Sequence, residues 1–515
     1  MVTSDSFRYD INVDIEDIKS PLPSRNINSL PIEEEKPIND HVESRSFEPK
    51  TPPIIPTINV VPESGIKKLL KNKLVLFGGI GILVVLILIM IFASLGKKTK
   101  NEAVTINYWG LWEDETVMNG VIASFEAKNP NIKVNYKRNQ LNNYRTRLVG
   151  RLEKTGSDDV ENVDVFRIHN TWIPMFRNYL AKVPTETVNS IGLETDFFDI
   201  YKTDLKENGS YLSVPLMYDG LALFYNKDLV KDTANLPKTW WDLEDMAKKL
   251  TTKDEKGNIK VSGVALGNTS NVDHWSDIVG LMMKQNGIDL SKNNPDNYTN
   301  LEDVLNFYTS FVTKDKVWNE SMANSTLAFA NGKLAFYIGP SWRAFDIQNL
   351  NKSLNFGITT IPQLPVLNGE KNATSSGSLL TNINWATYWT EGVNTKSIHQ
   401  AEAWKFLEYL SSVDGLTTMY STAVQVRDFG EIYPRKSMVN KLVDNAKVQP
   451  FISAANNATS WYLASNTGDE GLNTDMQKYF GDVINAITTN TKTDEMMTTL
   501  QSGVVQTQNK YKLKR

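Results

Sequence analysis

Between Tyr211 and Val230 the chain reads YLSVPLMYDGLALFYNKDLV. One carboxylate, Asp219, stands there among apolar and aromatic side chains, in a run patterned like strand rather than helix. A carboxylate in that setting either accepts hydrogen bonds from a polar ligand or moves a proton. Glu113, in WGLWEDE, is a second carboxylate with the same freedom, so an acid pair acting on a glycoside stays open on residue types alone. Other chemistries are poorly provided for. The chain has no cysteine, which removes disulfides, thiolate metal sites and a thiol nucleophile. The four histidines, His41, His169, His274 and His399, are dispersed, and none has an HExxH neighbourhood. No GxSxG elbow, GxxxxGK(S/T) loop or GxGxxG turn is present, which weakens hydrolase, nucleotidase and dinucleotide readings.

The elements that must position these groups begin after Asn101, where all twelve tryptophans lie. VTINYW (Val104 to Trp109) reads as a strand. Val117, Val121, Ile122 and Phe125 then share one helical face before Pro130. IKVNYKR from Ile132 alternates as a strand, a helix follows around Tyr144 to Leu152, and VDVFRI (Val163 to Ile168) is a third strand. Strand, helix, strand, helix, strand predicts a parallel sheet covered on both faces. Ligands of such sheets lie beyond the carboxyl ends of the strands. Those ends carry WGLWEDE and HNTW, so Trp109, Trp112, Asn170 and Trp172 are expected at one rim. Further on, LPKTWWDLEDMAKKL has helix-start chemistry, with Thr239 as N-cap and Asp242 three residues later. The acids of TKDEKGNIKVSGVAL lack calcium-loop spacing and read as a solvated turn at Gly257. Two amphipathic helices are expected after Gly471.

The first 66 residues are a different regime. Nine of the twenty prolines fall between Pro21 and Pro62, acids outnumber bases, and hydrophobic periodicity is absent, which predicts a disordered tail. From Leu74 to Leu95 the chain is uncharged and apolar, with lysines on both sides. At 1.5 Å per residue it can cross about 30 Å of hydrocarbon as a transmembrane helix. It starts too far into the chain for a cleaved signal peptide, so it reads as a membrane anchor. The formal charge of -4 and the lack of a basic block away from the anchor exclude nucleic acid as a partner.

Residues from about 103 to 510 resemble the family 1 extracellular solute-binding proteins of bacterial ABC importers, the maltose- and oligosaccharide-binding class. The resemblance rests on VTINYWGLW, VDVFRIHNTW, YLSVPLMYDGLALFYNKDL, LPKTWWDLEDMAKKL, FANGKLAFYIGPSW, FGITTIPQLP, AEAWKFLEYLSS and YPRKSM, in that order. It implies an α/β, two-lobed, periplasmic-binding-protein-like clamshell joined by hinge strands. The first lobe would span residues 103–217 and 364–426, and the second 221–360 and 430–510. By the same resemblance, Tyr211 to Val230 crosses from lobe to lobe, Pro215 and Gly220 shape the hinge, Tyr218 and Asp219 face the ligand, and ITTIPQLP is the return crossing. Such a protein captures a solute by hinge closure and performs no reaction. It needs no cofactor and no metal.

The resemblance also implies a receptor outside the cell membrane with the N-terminus inside, delivering its solute to ABC permease subunits. Family members usually carry a cleaved signal peptide where this chain has the tail and apolar run. The expected solute is a carbohydrate, because the loops facing the cleft are rich in indoles and poor in clustered charge. Trp109 and Trp172 would contribute from the first lobe, Trp275 and Trp342 from the second, and Trp385 from the returning segment. GPSW matches the family block whose tryptophan stacks on the sugar. Sugar C–H faces suit indole faces, while hydroxyls need partners such as Asp219, Asn170 and Arg343. A sensing or adhesion receptor of the same fold, and a peptide or polyamine binder, are the alternatives.

Overall fold

The computed structural model describes residues 103–153, 162–291, 295–365 and 380–513. The Pro-rich tail (1–66) and the apolar run 74–95 lie outside the described residues. Among the described residues no helix is long and apolar enough to cross a membrane.

The first sheet opens with β1 (Val104–Leu111), β2 (Ile132–Asn139) and β3 (Val165–His169). β1 pairs in parallel with β2 on one side and β3 on the other. The connecting helix Glu115–Lys128 starts where the Asp114 side chain accepts from Thr116 N at 2.8 Å. It buries Val117, Val121, Ile122 and Phe125. β4 (Lys206–Glu207) and β5 (Ser210–Tyr211) form a small hairpin before β6 (Val214–Pro215). β7 (Ala222–Asn226) then opens a second sheet with β8 (Thr252–Lys253), β9 (Ile259–Val264), β10 (Leu334–Gly339) and β11 (Phe356–Thr359). The chain returns through β12 (Asn384–Trp385) to β13 (Trp389–Val393), and β14 (Ala458–Thr459) later pairs with β12.

Two five-stranded sheets result, in the orders β2-β1-β3-β13-β6 and β11-β7-β10-β9-β8. They are the cores of two lobes. The first sheet is parallel only over its first three strands, because β13 runs antiparallel to both β3 and β6. The physical reason is that β13 arrives from the other lobe rather than through a βαβ crossover, so the rule that makes such crossovers parallel does not bind it. In the second lobe, the helix Trp240–Leu250 has a complete capping box between Thr239 and Asp242. The last helices, Leu472–Thr488 and Thr493–Tyr511, pack on each other and on Pro295–Thr313.

Between the lobes the crossing segments lie side by side. Tyr218 N donates to Ile432 O at 2.8 Å, Thr387 N to Asp219 O at 3.0 Å, and Ala386 N to Thr459 O at 2.8 Å. Gly220 is required at this junction, since a Cβ there would sit 2.2 Å from the Trp385 carbonyl oxygen. The segment that lies against the first crossing is thus 384–387, from β12 to Thr387. ITTIPQLP, by contrast, is still tied to the second lobe at Gln363, whose N donates to Lys238 O at 2.8 Å.

Candidate ligand-binding site

At the carboxyl end of β3 the chain turns sharply through Asn170–Trp172, and the rim of the first lobe is built around this turn. Trp389 of β13 is its centre. Trp112 meets it edge-on at 4.8 Å between ring centroids, His169 at 5.1 Å and Trp172 at 5.4 Å. Trp112 is half-buried and holds its backbone at φ 32°, a left-handed value uncommon for a bulky residue. Trp172 is fully enclosed, stacked on Phe176 at 5.5 Å, and its Nε1 has no protein acceptor. Trp109 lies inside β1 rather than at its end, because β1 runs on to Leu111, and it too is buried. Asn170 donates from Nδ2 to Asp204 at 2.9 Å. His169 bridges Thr171 Oγ1 (2.8 Å) and Thr387 Oγ1 (3.1 Å), and burial pushes its pKa down to about 3, so it is a neutral strut.

Beneath this rim sits a nest of buried charge. Arg167 Nε donates to Glu391 Oε1 at 2.6 Å, Tyr108 OH shares the same oxygen at 3.0 Å, and the guanidinium lies 5.9 Å from the Trp112 ring. Arg427 reaches both Glu113 (3.0 Å) and Glu431 (3.2 Å). Burial pushes Glu431 up to about 8, while for Glu113 the opposing burial is outweighed by the Arg427 charge and the hydrogen bond with Glu431. Glu113 pairs with Arg427, whereas Asp219 is held by Gly220 and Ser341, so the two carboxylates considered from sequence belong to different hydrogen-bonded groups.

The second cluster starts from Asp219 on the crossing segment. Its carboxylate accepts from Gly220 N (2.7 Å), Ser341 N (3.1 Å) and Ser341 Oγ (2.9 Å), and burial pushes its pKa up to about 7. Ser341 in turn places Trp342 and Arg343 at the start of the helix Arg343–Leu350. The Arg343 guanidinium covers the Trp342 ring at 4.3 Å and binds Asp346 at 2.9 Å. Its Nε donates to His274 Nε2 at 2.9 Å, so the His274 proton must be on Nδ1, facing Ser465 Oγ at 2.8 Å. Ser465 closes the chain onto Asp277, which also accepts from Trp385 Nε1 at 2.8 Å. Trp275, half-buried, heads the same helix, Trp275–Gln285.

The ten residues singled out from sequence thus fall into two groups. Trp109, Trp112, Asn170 and Trp172 gather at the first-lobe rim. Asp219, Trp342, Arg343 and Trp385 lie along one path of bonded and adjacent residues in the second lobe and its crossings, Trp275 heads the helix that this path reaches, and Tyr218 is enclosed beside them. Trp172, Tyr218 and Trp385 are fully buried, Trp109 nearly so, whereas Trp112, Trp275 and Trp342 keep surface. Arg343 is committed to acidic neighbours. Trp389, Asp204, His274 and Asp277 were not picked out from sequence. Trp389 alone had a local signal, as a second indole in NWATYW. Among the described residues no group of three or more His, Asp or Glu could hold a metal ion.

A two-lobed α/β receptor with its polar and aromatic groups converging on the lobe junction is the class this fold and site define. Residues 120–427 match the family model of bacterial extracellular solute-binding proteins, and the chain belongs to that family. Among curated relatives, the maltodextrin-binding protein MdxE of Bacillus subtilis is 26% identical over 258 residues, 47% of this chain and 54% of the relative. The multiple sugar-binding protein of Streptococcus mutans is 23% identical over 364 residues, 68% of this chain and 80% of that one. The chain spans little more than half the length of the first curated relatives it matches (54% and 58%). Among solved structures, a cyclo/maltodextrin-binding protein complexed with maltotetraose aligns over 80% of this chain and 98% of its own, with TM-score 0.59 at 16% identity. An ABC transporter solute-binding protein from Thermotoga lettingae, bound with α-D-tagatose, covers 78% and 99% with TM-score 0.58 at 19% identity. These structures are similar to this chain in fold.

Proposed function

We propose that this protein is a membrane-anchored receptor that captures a neutral carbohydrate, an oligosaccharide in the first instance, between its lobes and delivers it to an ABC permease. The observation that carries the reading is the pair of part-exposed indoles on opposite lobes, Trp112 and Trp342, each backed by a guanidinium that is already matched by carboxylates. Indole faces favour the C–H faces of sugar rings. An anionic solute calls for cations free to pair with it, and the arginines of both clusters face carboxylates of their own. Relatives named for maltodextrin and multiple-sugar binding support the same substrate class. Asn170, Trp275 and Asp219 complete the proposed contact set, with Trp109, Trp172, Tyr218 and Trp385 as its packed support. Residues 74–95 anchor the receptor, with the tail inside the cell and residues from about 101 onward outside.

Calorimetry over oligosaccharides, peptides, polyamines and glycerol phosphate tests the ligand. One or more sugars should bind, and Trp342→Ala should weaken that binding about tenfold, or roughly 1.4 kcal/mol, with the fold intact. Tight binding of a peptide or polyamine with every sugar inert would sink the carbohydrate assignment. External protease on intact cells should remove the receptor and spare the tail, and the reverse pattern would overturn the topology.

A further inference from the structure

Asp204 has no place in any motif, yet three segments converge on it. Asn170 Nδ2 approaches its Oδ2 at 2.9 Å from the first-lobe rim, Tyr388 OH approaches the same oxygen at 3.0 Å from the returning crossing, and Ser460 Oγ lies 2.9 Å from both oxygens. An ionised carboxylate only accepts, so it dictates which end of the Asn170 amide faces it. Nδ2 must turn toward Asp204, and Oδ1 must turn away. The Asn170 backbone is fixed as well, its N donating to Tyr388 O at 3.0 Å. The residue is 3% exposed, and its Oδ1 has no protein donor. A buried acceptor left unsatisfied keeps its desolvation penalty, which a ligand donor removes.

We propose that Asp204 is a positioning residue that locks the Asn170 amide with Oδ1 as a free acceptor for a hydroxyl or amine donor of the bound solute. The proposal rests on the receptor reading above and adds to it a selectivity: ligands must offer a donor at this point, and removing that donor leaves Oδ1 buried and unpaired.

The lock is sensitive to pH. Burial pushes Asp204 up to about 6, with the donors Asn170, Ser460 and Tyr388 and the Lys284 charge pulling the other way. The remaining titratable groups facing it are Tyr201, Tyr388 and Tyr462, and Arg177 and Glu207 act on Tyr462. The tyrosines are all held above their ordinary range by burial and stay neutral. Below about pH 6 Asp204 gains a proton, one oxygen becomes a donor, and the carboxyl group no longer dictates which end of the Asn170 amide faces it.

The test uses the full-length protein in two arms. In the first, the best-binding sugar of the panel is titrated into wild type, Asp204→Asn, Asn170→Ala and the double variant. Each single variant should lose about fivefold to tenfold in affinity, and the Asp204→Asn loss should vanish in the Asn170→Ala background. Wild-type affinity should fall between pH 7 and 5, and the part of that fall centred near pH 6 should be missing in Asp204→Asn, where the titration of Asp219 remains. Additive losses, or an unchanged pH profile in Asp204→Asn, would overturn the proposal. The second arm needs no ligand. In ¹⁵N-asparagine-labelled protein, the Asn170 side-chain amide, identified by its loss in Asn170→Ala, should titrate with a midpoint near 6 in wild type and not in Asp204→Asn. A pH-independent amide would refute the lock even where no sugar binds, a result that separately counts against the carbohydrate reading.

Discussion

Trp385 Nε1 donates to Asp277 Oδ1 at 2.8 Å, joining the returning crossing to the head of a second-lobe helix across 108 residues of chain. The indole also fills the space over Gly280, where a Cβ would meet its ring at 2.4 Å. This one residue therefore sets both the spacing and the polarity of the junction between crossing and lobe.

Trp385→Phe removes the indole donor from Asp277 and opens a small void. A hydrogen bond to a charged acceptor is worth about 1.5–3 kcal/mol, so urea unfolding should show a loss of roughly 2–3 kcal/mol at an unchanged slope. An unaltered midpoint would mean that the indole is merely packed.

Gly220→Ala places a methyl group against the Trp385 carbonyl oxygen, which is backbone and cannot swing away. The crossings must separate, at a cost of about 1–3 kcal/mol. Thermal unfolding should fall accordingly, and small-angle scattering should show an altered radius of gyration in saturating ligand relative to wild type. A variant that closes and melts like wild type would refute the close approach.

Asp219 gives stability a specific pH dependence. Burial pushes its folded pKa up to about 7, above the ordinary aspartate value of 3.8, so the folded state binds the proton more tightly than the unfolded chain. The stabilisation is fully present below about pH 4 and is lost as pH rises through about 7. Asp219→Asn should flatten the stability profile between pH 5 and 8, as followed by denaturant midpoints at each pH. A profile as steep as that of wild type would assign the dependence to another group.

Arg167 and Glu391 are both essentially unexposed, at 1% and 0%. Breaking a buried pair by removing one partner costs about 3–5 kcal/mol, because the other charge is left without compensation. Glu391→Ala should therefore be far more damaging than the double replacement Arg167→Met, Glu391→Leu. Equal losses in the two variants, measured by chemical denaturation, would show that the pair is not the source of the cost.

Ligand binding should close the lobes. Scattering with and without a saturating sugar should show a smaller radius of gyration when bound, since a ligand that favours the closed form shifts the population toward it. An unchanged radius would count against the hinge.

Helix starts and strand faces were legible in the sequence because they depend on near neighbours. Thr239 and Asp242 close a box within one turn, and Val117, Val121, Ile122 and Phe125 reveal their buried face by spacing alone. The ordered blocks from VTINYWGLW to YPRKSM were enough to indicate the two-lobed class. What the sequence could not determine was which distant residues meet. β13 joins β3 across more than two hundred residues and turns a parallel sheet into a mixed one. The same return buries Trp385, gathers three aromatic side chains around Trp389, and sets Tyr388 on the carboxylate that orients Asn170. Periodicity is written in local chain geometry, whereas a pairing such as Arg167 with Glu391 arises only when the chain has crossed between lobes and returned, so tertiary structure alone decided which indoles stayed at the rim and which charges were already matched.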